Sequence, residues 1–286
     1  MCWHMLSLPF HKMHGAGNDF IVVDNRANYP IRWELIAPKV CDRHMGVGAD
    51  GILLIEEGGL GDFRMRLFNA DGSEAEMCGN GIRCVTKYVI ELGLTNKSTI
   101  VWDTLSGLRT TLAFFDDFGK VALVKVNMGK PIWDKKAIPV AEDVEDPLDV
   151  AVNVDGVDLR LHCVGMGNPH AVAFVESVDE FPLEKVGRKI QENTIFPRSV
   201  NFEIVEIQSD NVVKARVFER GVGETLACGS GASAIGVMAR RIKHLKSPVS
   251  IKLRGGELQV EWDGNSDIFM TGPAEFVFKG VVDLDV

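Results

Sequence analysis

Alternation of apolar and polar positions, with β-branched residues inside the runs, predicts strands over FIVVDN, GILLIEE and FRMRLFN, and then over IVWDT, RTTLAFF and KVALVKV. Helical spacing predicts a helix over Trp33–Arg43 and another from Gly79 to about Leu92. Further along, HAVAFVE, NFEIVEI, VVKARVFE, VSIKL and ELQVEW read as strands, followed by a C-terminal pair. Helices are predicted over Leu183–Gln191 and from Gly229 to about Ile242. Ile82, Val85, Val89 and Leu92 fall on one helical face, and Ile235, Met238, Ile242 and Leu245 on another. Both stripes read as core packing.

The order strand, helix, two strands, helix, more strands occurs twice, and the residues repeat with it. RLFNADGSEAEMCGNG aligns with RVFERGVGETLACGSG without a gap, at an offset of 150 positions. Arg66 meets Arg216, Phe68 meets Phe218, Glu74 meets Glu224, and Cys78 meets Cys228. The same offset pairs Gly15 with Gly165, Gly17 with Gly167, Asn18 with Asn168, and Glu56 with Glu206. A single register held over so long a stretch implies an internal duplication. The expected fold is α/β, as two similar domains. Their boundary is expected between about Val126 and Val150, where the Pro-containing KKAIPVAEDVEDP is loop-like.

The 286 residues, 46% of them hydrophobic, suffice for two modest cores. A net charge of −9 gives no long-range attraction for nucleic acid or an anionic membrane. Charges interrupt every apolar run before the ~18 residues that a spanning helix needs. The start MCWHMLSLPFHK lacks a basic n-region and reads as a cytoplasmic N-terminus. Cys2, Cys41, Cys78, Cys84, Cys163 and Cys228 form no CxxC and no zinc-finger spacing, so no metal site is expected.

Two glycine-rich segments fail as dinucleotide fingerprints. GVGADG follows a helix and precedes a strand, the reverse of the required order. GSGASA opens a helix but lacks the acidic residue about 20 positions later.

Cys78 and Cys228 are each followed by Gly-x-Gly and a helix. The unpaired N–H groups and positive dipole end there favour a thiolate. Their bland reading is a pair of inert cysteines retained from a common ancestral half. A disulfide between them would read as inactivation rather than function. Two tunable thiols on opposite walls of one cleft suit another chemistry, inversion of a Cα–H centre with a base on one face and an acid on the other. Helix N-termini could hold the substrate carboxylate as the proton leaves. Glu219 and Arg220 could read an ammonium and a second carboxylate, although neighbours of this kind usually form a surface ion pair. His14, His44 and His170 default to hydrogen-bonding roles.

N-x-D-G-S-x4-C-G-N-G-x-R from Asn69 to Arg83, with MHGAGNDF, GVGADG, GNPH, VNF and ERGVGETLACGSG in order, resembles the diaminopimelate epimerase family. The likeness runs from about Phe10 to the C-terminus, with the first nine residues as an unmatched extension. It implies an α/β fold of the α+β kind, two pseudo-symmetric domains that are each a mixed or antiparallel sheet around a central helix, with one half over residues 1–126 and 274–286 and the other over 127–273. It implies interconversion of LL- and meso-diaminopimelate in lysine biosynthesis, without pyridoxal phosphate or any other cofactor and without metal. By motif it implies Cys78 and Cys228 as the acid/base pair. Gly79, Asn80, Gly229 and Ser230 would hold the reacting carboxylate. Asn18, Asn69, Asn168, Asn201, Glu219 and Arg220 would read the distal L-centre, with His170 and Glu219 assisting the thiols. Gly51, the offset mate of Asn201, stands where some members carry Gln, and is given no binding role. The implied partner is the small-molecule substrate, and a homodimer is left open.

A proline racemase would also use two cysteines but has no need of the Glu219–Arg220 pair. A non-catalytic amino-acid-binding protein would leave the α-proton in place. A pyridoxal-phosphate enzyme would be coloured.

Overall fold

A computed structural model describes residues 5–138 and 140–285, so Cys2 lies outside the described residues. The chain forms two compact units, residues 1–126 with 272–286, and residues 127–271. The first holds β1 (Met5–Gly15), β2 (Asn18–Asp24), α1 (Trp33–Val40), β3 (Gly51–Glu57), β4 (Phe63–Asn69), β5 (Glu74–Ala75), α2 (Gly79–Glu91), β6 (Thr99–Thr104) and β7 (Gly107–Phe115), with β8 (Val121–Gly129) leading out. The second holds β9 (Val150–Val154), β10 (Val157–Gly165), β11 (Pro169–Phe174), α3 (Leu183–Gln191), β12 (Asn201–Ile207), β13 (Val212–Glu219), β14 (Gly223–Thr225), α4 (Gly229–Lys243), β15 (Val249–Leu253), β16 (Gly256–Glu261) and β17 (Ile268–Gly272). The last strand, β18 (Glu275–Asp285), belongs to the first unit.

The duplication extends to the sense of each strand pairing. In the first unit the order is β18-β1-β2-β3-β4-β6-β7-β8, with β2–β3 and β4–β6 parallel and the other neighbours antiparallel. In the second it is β9-β10-β11-β12-β13-β15-β16-β17, with β11–β12 and β13–β15 parallel. The C-terminal strand β18 thus takes in the first unit the place that β9 takes in the second. Both units are sheets around a central helix, as the family resemblance implies.

Each sheet wraps its second helix. α2 packs on β1, β2, β3, β4 and β7, and α4 on β10, β11, β12, β15 and β16. Both helices are buried all round over their first eleven residues except at Ser230, not only along one stripe. Ile82, Val85 and Val89 are fully buried, each stabilising by about 1.5–3 kcal/mol, whereas Leu92 of the predicted stripe is exposed. Buried polar side chains on α2 are bonded inside the unit. Thr86 Oγ1 donates to Ile82 O and receives the indole N–H of Trp102, and Lys87 Nζ donates to Val121 O.

α1 ends at Val40, short of the predicted Arg43. Asp42 Oδ1 accepts from the N–H groups of His44 and Met45 at 2.8 and 2.6 Å and turns the chain away. Two strand regions lie outside the predicted strands. Residues from Met5 onward form β1, and residues 150–165 form the β9–β10 hairpin around Asp155-Gly156 at φ 51° and 84°. Among the described residues no helix is long and apolar enough to cross a membrane.

Candidate active site

In the first unit the β4–β5 hairpin leads directly into α2. Arg66 grips Glu74 through two bonds, at 2.7 and 3.0 Å, and closes the hairpin. At its turn Asp71 accepts from Ser73, whose hydroxyl oxygen accepts from Asn69 Nδ2 at 3.0 Å. Cys78 is the N-cap of α2, in extended conformation at φ −132°, and its sulfur accepts the N–H of Gly81 at 3.4 Å. Sulfur here takes the place of the usual Ser or Asp oxygen. Cys78 Sγ also lies 3.6 Å from Asn18 Oδ1, which accepts from Asn80 Nδ2 at 3.2 Å. Asn80 is buried, and its own oxygen accepts from buried Arg83 at 3.0 Å. Asn18 Nδ2 donates to Asp50 at 2.6 Å, and Asp50 is in turn paired with Arg43.

The second unit repeats the frame with other side chains. Arg216 grips Glu224 through two bonds of 2.8 Å. Cys228 is the N-cap of α4 at φ −124°, and its sulfur accepts the N–H of Gly231 at 3.3 Å and lies 3.4 Å from Ser230 Oγ. Glu219 accepts from Thr225 Oγ1 at 2.6 Å and is hydrogen-bonded to Cys228. Burial pushes the Cys228 thiol well above its ordinary value, and the charge of Glu219 adds to this. The bonds from Ser230 and Gly231 pull it back by less. Cys228 therefore rests as a thiol, although its helix start alone favours a thiolate. Burial also raises Glu219.

The remaining predicted residues fall into linked groups. Asn201 Nδ2 donates to Pro169 O at 2.8 Å and its oxygen accepts the N–H of Arg220 at 2.9 Å, so it ties two loops together. Arg220 Nη1 reaches Arg198 O at 3.3 Å. His170 is fully buried, with Nδ1 2.6 Å from Glu203 and Nε2 2.9 Å from Asn168 Oδ1. Asn69 is bonded to Ser73 and to none of the other predicted residues by the bonds described. Gly51 has no room for a side chain, because a Cβ would lie 2.6 Å from Phe68 O. Asp50, Glu203 and Thr225 escape the sequence reading. For Glu203 a signal exists, since its offset mate is Leu53. By contrast Cys41, Cys84 and Cys163 are pushed up to about 12 by burial and behave as inert core residues.

The family model for diaminopimelate epimerase matches residues 10–133 and 162–277. The chain belongs to the diaminopimelate epimerase family. A diaminopimelate epimerase of Acetivibrio thermocellus is 48% identical over 97% of this chain and 99% of its own. One from Methanococcus maripaludis is 46% identical over 97% of this chain and 100% of its own. Two solved structures share the fold at 17% identity. A PhzF-family phenazine biosynthesis protein of Bacillus anthracis has a TM-score of 0.73 over 97% of this chain and 99% of its own. A hydroxyproline epimerase of Agrobacterium vitis has 0.72 over 98% and 93%. Like other diaminopimelate epimerases, this chain is an isomerase of the lysine biosynthesis pathway, acting on a small-molecule substrate.

Proposed function

We propose that Cys78 and Cys228 address the two faces of one substrate α-carbon and interconvert LL- and meso-diaminopimelate by two-base proton transfer. One sulfur, as thiolate, takes the α-proton. The other, as thiol, delivers its proton to the opposite face. The carbon is inverted, and the thiolate and thiol have exchanged places, so the enzyme returns ready for the reverse substrate. The first N–H groups of α2 and α4, at Gly79, Asn80, Gly229 and Ser230, receive the carboxylate next to the reacting carbon and the charge that gathers on it. Asn18, Asn69, Asn168, Glu219 and Arg220 read the distal amino-acid group, while Asn201 sets the backbone of Arg220.

The observation that carries this reading is the equivalence of the two thiols. Both cap a buried helix from an extended residue, and both accept the N–H three positions on. A pair of thiols doing proton transfer must stay reduced, which places the enzyme in the cytoplasm. Cys78→Ala and Cys228→Ala are each expected to lower isomerisation by at least about a thousandfold, since general acid–base groups contribute about 10²–10⁴-fold each. Wild-type turnover by either variant contradicts the two-thiol mechanism.

A further inference from the structure

The duplicated asparagines sit in equivalent places but are held by opposite chemistry. Asn18 gives its NH2 to the Asp50 carboxylate at 2.6 Å, so its oxygen is the end turned to Cys78 and Asn80. Asn168 has its oxygen 2.9 Å from His170 Nε2. Which of the two donates depends on whether Nε2 carries a proton, and the group that faces the other ring nitrogen is Glu203.

Glu203 is fully buried, Oε1 lies 2.6 Å from His170 Nδ1, and Oε2 has no hydrogen-bond partner among the described residues. Its charge bears on Glu219 and on the thiols Cys228 and Cys163. Among the described residues its ion pair is with His170. The nearby start of α4 already directs the Gly231 N–H to the Cys228 sulfur. If Nε2 carried a lone pair, Nδ1 would hold the ring's only proton and Glu203 would be a buried anion beside a neutral ring, which is costly. With a proton on Nε2 and a second proton shared between Nδ1 and Oε1, the dyad is neutral wherever the shared proton rests. Nε2 then donates, and the acceptor it requires is the Asn168 oxygen.

We propose that Glu203 is a positioning residue: through His170 it fixes Asn168 with its amide oxygen inward, so that Asn168 presents an NH2 donor to a substrate carboxylate, while Asp50 fixes the duplicate Asn18 the other way round. The two halves thereby offer one donor and one acceptor from the same residue type. This assigns an amide polarity to two of the substrate-reading residues, and its kinetic arm rests on the function proposed above.

Two measurements test it. NMR of the full chain labelled with 15N-histidine should show a proton on His170 Nε2 throughout the active pH range, and a mixture of Nδ1–H and Nε2–H tautomers in Glu203→Leu, which has neither donor nor acceptor for Nδ1. Asn168→Asp keeps an oxygen on His170 but replaces the NH2 with a second oxygen. KM for diaminopimelate should rise about tenfold or more in Asn168→Asp and by less in Glu203→Leu, with a much smaller change in kcat, as loss of a charge-assisted bond predicts. An unprotonated Nε2 in the wild type, or a wild-type KM in Asn168→Asp, overturns the proposal. A wild type that does not isomerise diaminopimelate contradicts the function instead, and the NMR result then decides the orientation alone.

Discussion

At the N-cap of a buried helix a cysteine does what serine does elsewhere, and its neighbours decide what else it can do. Cys228 has Glu219 and Ser230 within hydrogen-bond reach, and Cys78 has Asn18. Cys41, Cys84 and Cys163 are raised from 9.0 to about 12, each chiefly by burial. That difference has a sign in stability. In the unfolded chain these thiols ionise near pH 9, while in the native state they keep their protons until about pH 12. Over that window the unfolded state binds fewer protons, so stability falls as pH rises, by roughly 1.4 kcal/mol per pH unit for each thiol. Urea unfolding at pH 9 and pH 11 should show the fall, and Cys163→Ala should reduce its slope. Equal slopes for the variant and the wild type would contradict it.

Between α4 and β16 the packing leaves no room for a side chain at Gly236. A Cβ there would lie 2.5 Å from Val260 Cγ1, and Val260 is itself buried. Gly236→Ala should therefore destabilise by about 1–3 kcal/mol through overpacking, despite alanine's better helix propensity. Urea denaturation checks this, and a variant at or above wild-type stability would sink it. Elements of this kind, apolar and locally consistent, are the ones legible in the sequence. α3 and the strands β3, β4 and β12 fall where periodicity puts them. β1 was illegible because Pro9, His11, Lys12 and His14 break its pattern. Its order comes from pairing with β2 on one side and with β18, far away in sequence, on the other. Within the site, Cys78 with Cys228 and Asn18 with Asn168 were legible from the repeat, whereas Asn69, Asn80 and Asn201 entered through the family resemblance. Glu203 was not, because an acid inside NFEIVEI looks like an ordinary polar position of a half-exposed strand, yet both faces of β12 are buried from Asn201 to Val205.

At the scale of the whole chain, one duplicated unit has been kept in its frame and changed in its side chains. The hairpin clamps Arg66–Glu74 and Arg216–Glu224, the capping sulfurs and the order of pairings are held in common. Asn69 and Glu219, Ala70 and Arg220, and Leu53 and Glu203 are not. On the function proposed above, the shared frames make the two thiols equivalent enough to exchange roles at one carbon, and the divergent residues distinguish the end that reacts from the end that is only read. The most direct test of that account is to incubate the reduced enzyme with LL-diaminopimelate in D2O and follow it by NMR and mass spectrometry. Deuterium should enter at a single α-carbon per turnover as the meso isomer appears. Inversion without solvent deuterium, or no inversion and no exchange at all, would contradict two-thiol epimerisation.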